Sequence, residues 1–168
     1  LILDSKSKFP RLNLPLAKLK ISRENGVLKV FDTLRKKHVI LTPEEYVRQN
    51  FINWMINDLH YPASLIANEI GIDLNGTKKR CDSVVFNSQG RPFIIIEYKA
   101  PDITVTQSVF DQIVRYNMVL HAKYLIVSNG MNHYCCVMDY DASSYQFIPS
   151  VPDYIALRKN RFSNCDDV

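Results

Sequence analysis

The chain lacks any uninterrupted apolar run of the roughly 18 residues a spanning helix requires, so no helical membrane segment is expected. Its start, Leu1-Ile2-Leu3-Asp4-Ser5-Lys6, is charged too soon to read as a signal peptide. None of the four cysteines, Cys81, Cys135, Cys136 and Cys165, belongs to a C-x-x-C pair, and no histidine stands at zinc-finger distance from them. That argues against a zinc module and a dithiol redox site, and leaves buried, reduced thiols in a cytoplasmic protein as the expectation. His38, His60, His121 and His133 have no partner pattern either. Gly71-Ile72-Asp73-Leu74-Asn75-Gly76-Thr77-Lys78 comes near a phosphate-binding loop, but Thr and Lys stand in the wrong order, so it reads as a glycine-containing turn. Internal repeats, low-complexity tracts and linkers are missing as well, which leaves one domain over residues 1–168.

What is present is an ordinary globular composition, 46% apolar and 23% charged, with a net charge of +4 that is compatible with nucleic acid without demanding it. Basic clusters occur at Arg35-Lys36-Lys37, Lys78-Lys79-Arg80 and Arg158-Lys159-Asn160-Arg161, and solvated surface accounts for each equally well. Pro10 and Pro15 break regular structure near the start. Residues 19–41 read as an N-terminal hairpin extension: strands on either side of Asn25-Gly26, whose turn needs positive φ, then a short strand from Lys37 to Leu41. Thr42-Pro43-Glu44-Glu45 is a helix start, with Thr as N-cap, Pro at the first helical position and a capping-box Glu45. The apolar spacing of Val47, Phe51, Trp54 and Met55 carries that helix to about Leu59.

A short helix is expected over Ala63–Glu69 and a strand over Ile70–Leu74. Further on, Val109, Ile113, Tyr116 and Leu120 mark a helix from Thr106 to His121. Strands follow at Lys123–Ser128 and His133–Met138, with a final helix after Pro152. The order predicts an α/β fold in which helices cover both faces of a mixed central sheet, with a core over about 35–140.

Between these elements lie two apolar strands joined by a hairpin through Asn87–Arg91. The first carries Asp82 near its start, and the second, Pro92-Phe93-Ile94-Ile95-Ile96-Glu97-Tyr98-Lys99, ends in a carboxylate and an ammonium. With a period of two, Ile95, Glu97 and Lys99 share one face while Ile94, Ile96 and Tyr98 take the other. The hairpin then brings Asp82 near Glu97 and Lys99. Two carboxylates and a lysine at one sheet edge are enough to hold a divalent metal beside a cation, the layout of a phosphodiester-cleaving site.

Asp82 followed by Glu97-x-Lys99 at a strand end resembles the PD-(D/E)xK nuclease motif, although Cys81 stands where that pattern has proline. Gln112-Ile113-Val114-Arg115-Tyr116 on the next helix is similar to the Q-x-x-x-Y element of some branches of that superfamily. Pro43-Glu44-Glu45-Tyr46-Val47-Arg48-Gln49 and Val127-Ser128-Asn129-Gly130 resemble the N-terminal nuclease domain of type I restriction enzyme R subunits. This resemblance covers roughly residues 35–140 and implies a restriction-endonuclease-like core acting on DNA, part of a restriction-modification system. It implies Mg²⁺, with Mn²⁺ as substitute, held by Asp82, Glu97 and the main-chain carbonyl near Tyr98. Lys99 would orient water or stabilise developing charge, Gln112 and Tyr116 would steady Lys99 or touch the DNA backbone, and Glu45 would supply a further acid, with Glu69 a poorer choice. The chain is too short to contain the ATP-driven motor of R subunits, so a motor or specificity subunit on another chain is an expected partner.

Each of these residues also has a plain structural reading. Glu97 and Lys99 make an acceptable surface ion pair, Tyr116 lies on the apolar stripe, and Glu45 is explained by its cap. The alternative function is therefore a catalytically silent nuclease-fold module for DNA binding or assembly.

Overall fold

The computed structural model describes residues 8–74 and 76–162. The opening stretch Leu1–Lys6, Asn75 and Cys165 lie outside them, as do the side chains of Lys159, Asn160 and Arg161. Strands β1 (Ile21–Glu24), β2 (Val27–Asp32) and β3 (Lys37–Ile40) form a small antiparallel sheet. Asn25 and Gly26, at φ of 48° and 81°, make the left-handed turn that the Asn-Gly pair announces.

Helix α1 (Pro43–Asn57) begins as its sequence dictates, with Thr42 Oγ1 accepting from the Glu45 N–H. The capping box is only half made, because the Glu45 carboxylate turns to Arg35, Arg48 and Gln49 instead of back to the cap.

The main sheet has six strands in chain order: β4 (Ile66–Leu74), β5 (Thr77–Phe86), β6 (Pro92–Tyr98), β7 (Tyr124–Ser128), β8 (His133–Asp139) and β9 (Ser144–Ile148). All neighbours run antiparallel except β6 and β7, which are parallel. A parallel pair needs a crossover, and α2 (Gln107–Leu120) supplies it. The faces of β6 divide by the period of two. Ile94, Ile96 and Tyr98 pack with Val47, Phe51 and Met55 of α1, and Ile95 packs with Phe110 and Ile113 of α2. Adjacent Cys135 and Cys136 likewise fall into opposite layers, both as free, buried thiols. Burial at these positions stabilises by roughly 1.5–3 kcal/mol for each large aliphatic side chain.

Two expectations need correction. The helix over Ala63–Glu69 is only a single 3-10 turn at Ala63–Leu65, and the strand starts at Ile66. Tertiary pairing wins there, because a long ladder with β5 begins at Ile66↔Val85 and occupies those backbone groups. Strand β9 has no counterpart in the sequence reading, since its alternation of Tyr145 and Phe147 with polar residues is short and largely exposed. Helix α3 (Tyr154–Phe162) follows Pro152 as expected. Past β7, the Asn129-Gly130 turn is closely packed: a Cβ at Gly130, where φ is +81°, would lie 2.8 Å from Leu12 Cδ2.

Candidate active site

The β5–β6 ladder runs as far as Ser83↔Ile96, and the next residues, Asp82 and Glu97, diverge at its end. Asp82 does not leave the sheet, because its Oδ2 accepts from the Tyr98 main-chain N–H at 2.9 Å. Glu97 points to the α2 side, where its Oε1 accepts from Lys99 Nζ at 2.8 Å and from Gln112 Nε2 at 2.8 Å. Gln112 Nε2 also donates to the Tyr116 hydroxyl at 3.1 Å, a contact that i,i+4 spacing on one helical face makes available. The structure thus brings together Asp82, Glu97, Lys99, Gln112 and Tyr116.

Glu45 is placed differently from its sequence-based role. Its carboxylate is buried between Arg35 Nη2 at 2.6 Å, Arg48 Nη1 at 2.7 Å and Gln49 Nε2 at 2.8 Å. Arg35 and Gln49 also bond Asp32, so Glu45 belongs to a buried polar network that ties the small sheet to α1. Its neighbour Glu44 is the residue of the first helical turn that feels the cluster, and the charges of Asp82, Lys99 and Glu69 all act on it.

Glu69 is also drawn in. It sits in β4 opposite Asp82 with φ of 59°, a left-handed conformation costly for a side-chain-bearing residue, and the ladder skips this pair. Its carboxylate then reaches Arg48 at 2.7 Å and Arg80 at 3.0 Å. Arg48 and Glu44 are the participants that sequence reasoning missed. Their signal was available, because an i,i+4 pair in the first turns of α1 places both on one face.

The electrostatics follow from burial of like charges. Glu97 is pushed up to about 7, first by burial and then by the charge of Asp82, with Lys99 opposing. Asp82 is also raised, by burial above all, against the lowering pull of Arg48 and the Tyr98 N–H. Burial alone would lower Lys99, but the hydrogen bond and charge of Glu97 outweigh it and hold the ammonium protonated. Glu69 is lowered overall, since Arg80 and Arg48 outweigh its burial.

Among the described residues, no group of three or more His, Cys, Asp and Glu side chains is arranged to hold a metal. The donor set is two buried carboxylates, and burial followed by the charge of Asp82 raises Glu97. This fits Mg²⁺, which takes one or two protein carboxylates and fills its shell with water and phosphate, and fits poorly with a metal that needs a full protein cage.

No curated protein matches the chain. A solved fragment described as an HsdR subunit of a type I restriction enzyme from Vibrio vulnificus YJ016 is similar, with a TM-score of 0.53 and 17% identity over 72% of this chain and 25% of that one. At that identity the likeness is one of fold, and the present chain spans about a quarter of the fragment. The family described as "Type I restriction enzyme R protein N terminus (HSDR_N)" matches residues 43–152, which include Asp82, Glu97, Lys99, Gln112 and Tyr116. With most of its length so matched, the chain belongs to the type I restriction enzyme R protein N-terminal family.

Proposed function

We propose that this chain is a Mg²⁺-dependent DNA endonuclease module of the type I restriction R-subunit kind, hydrolysing phosphodiester bonds by direct attack of water. The observation that carries the reading is the convergence of Asp82, Glu97, Lys99 and Gln112 where the β5–β6 ladder ends. Asp82 and Glu97, with the main-chain carbonyl of Tyr98, would hold Mg²⁺ or Mn²⁺. When bound, that ion supplies Lewis-acid polarisation of the phosphate and a more acidic water. Lys99 would orient the attacking water and offset charge that develops on the phosphate oxygens. Gln112 fixes the Glu97 oxygen that Lys99 also contacts, and Tyr116 accepts from Gln112. Glu44 of α1, whose Oε1 stands 4.0 Å from Arg48, would be a further acid beside this group.

Basic residues Lys78, Lys79 and Arg80 lie on the exposed part of β5 just before Asp82, where contacts to DNA phosphates would fix the strand without reading its sequence. Delivery of DNA by a motor or specificity subunit is part of this proposal.

A second reading, a silent DNA-binding or assembly module, draws on one observation. Both oxygens of Asp82 are taken by protein donors, Arg48 and the Tyr98 N–H. Calorimetric titration of Mg²⁺ or Mn²⁺ with a short duplex present separates the two. Metal uptake by the wild type that is lost in Asp82→Ala supports the nuclease. Salt-sensitive DNA binding with no metal uptake supports the silent module.

A further inference from the structure

We propose that Arg48 is the resident counter-ion of this centre and restricts it to a single divalent cation, an inference that rests on the nuclease reading above. The Arg48 side chain is only 4% exposed and spans three carboxylates. Nη1 contacts Glu45 Oε2 and Glu69 Oε1, each at 2.7 Å, and Nη2 lies 2.9 Å from Asp82 Oδ1. Glu44 Oε1 stands 4.0 Å away, and the guanidinium lies over the Tyr98 ring, 5.6 Å from its centroid. Nε is buried without a hydrogen-bond partner among the described residues, so the side chain is held for its terminal nitrogens and not for its full donor set.

The surroundings are built to keep it there. Glu69 adopts its left-handed φ within β4, and its second oxygen is fixed by Arg80. A guanidinium keeps its proton under all ordinary conditions, so this charge is permanent.

A two-ion phosphodiesterase places its cations about 3.5–4 Å apart, so a carboxylate shared between them has to present its oxygens to metal and not to a protein cation. In Asp82, Oδ1 instead accepts from the Arg48 guanidinium and Oδ2 from the Tyr98 N–H. Charge points the same way. Asp32, Glu44, Glu45, Glu69, Asp82 and Glu97 are set against Arg35, Arg48, Arg80 and Lys99, which leaves a formal charge of −2, the charge one divalent ion neutralises. Removing the Arg48 charge leaves a further negative charge and uncovers oxygens of Asp82 and Glu69 together.

The test is the number of Mn²⁺ ions taken up by the chain, without DNA, by calorimetry and by electron paramagnetic resonance of free Mn²⁺. The wild type is expected to bind one ion. Arg48→Gln, which keeps polar contacts without charge, is expected to bind two, or one at least tenfold more tightly. Arg48→Lys restores the charge and is expected to return to one ion at near wild-type affinity. A wild type that binds two ions, or an Arg48→Gln protein that binds one ion with unchanged affinity, overturns the role of Arg48. Failure of Arg48→Lys to restore wild-type binding also overturns it, because a purely structural arginine would behave in that way. If Arg48→Gln does not fold, the wild-type count and Arg48→Lys still decide. A wild type that binds no Mn²⁺ overturns the nuclease reading itself, an outcome distinct from all of these.

Discussion

Lys99 Nζ lies 2.8 Å from Glu97 Oε1, a pairing set by two residues of one strand face and held from outside by Gln112 on the same oxygen. The ammonium is thereby anchored at the strand end and kept charged despite partial burial. Its loss is expected to be a loss of transition-state stabilisation. Lys99→Ala should lower DNA cleavage by about 10²–10³, or roughly 3–4 kcal/mol, by analogy with removal of a preorganised oxyanion donor. Asp82→Ala should abolish cleavage altogether. The two variants differ in stability, however. Asp82 receives Arg48 and the Tyr98 N–H, so its removal leaves buried donors unpaired at about 1–3 kcal/mol, while Lys99→Ala should melt close to wild type. A plasmid-nicking assay with parallel thermal melts checks both, and near wild-type cleavage by Lys99→Ala, or any cleavage by Asp82→Ala, would defeat the assigned roles.

Glu97 carries a stability cost that a functional carboxylate explains and a structural one does not. Its folded-state pKa is about 7 against an ordinary 4.5, so between these values the folded chain holds a proton that the unfolded chain has released. Stability therefore falls as pH rises through this window, and the loss is complete above it. Glu97→Gln removes the penalty. In the presence of chelator, the variant should be more stable than wild type at pH 8 by about 1–3 kcal/mol, given roughly 1.4 kcal/mol per pK unit. The gain should vanish below about pH 4.5. Urea unfolding at several pH values is the measurement, and a variant less stable than wild type at pH 8 would mean that the Lys99 and Gln112 contacts outweigh the buried charge.

Much of this site was legible before the fold was known because it is local. Asp82, Glu97 and Lys99 lie on one hairpin, where strand period and a short turn fix their relation. Gln112 and Tyr116 are singled out by the Q-x-x-x-Y resemblance, and helical spacing puts them on one face. What could not be read was long-range: that Arg48 on α1 reaches across to β5, and that Glu69 leaves the β4 ladder to meet it. The surroundings of the Glu45 carboxylate were hidden for the same reason. A capping pattern specifies where Glu45 begins, but Arg35, from the preceding small sheet, decides where its carboxylate ends. Strand β9 was missed because its residues are mostly exposed, so the continuous apolar run that burial on both faces gives β6 is absent there.

If Asp82 and Glu97 hold a divalent ion, the ion should stabilise the folded chain by mass action. At 100 times its dissociation constant, Mg²⁺ or Mn²⁺ should add about 2.7 kcal/mol. For a domain of this size that corresponds to roughly 5–10 °C in melting temperature. Chelator should reverse the shift, and Asp82→Ala should not show it. A melting temperature that metal leaves unchanged across this range would remove the metal from the proposal.

Gln112 gives the sharpest separation of orientation from binding. It touches Glu97 and Tyr116 and lies on the helix that closes one side of the site, so DNA affinity should depend on it little. A hydrogen bond to a charged group contributes about 1.5–3 kcal/mol, so Gln112→Ala should reduce kcat by roughly 10–100-fold with KM for DNA nearly unchanged. Gln112→Glu should be worse than Ala, because it replaces the donor with a carboxylate beside one that burial and Asp82 already hold at about 7. Tyr116→Phe removes only the hydroxyl that Gln112 donates to, and should cost less than either. Steady-state cleavage kinetics on one duplex would rank the three. If Gln112→Ala instead raises KM while kcat is preserved, Gln112 is a DNA contact and the orientation of Glu97 and Lys99 comes from their own ion pair.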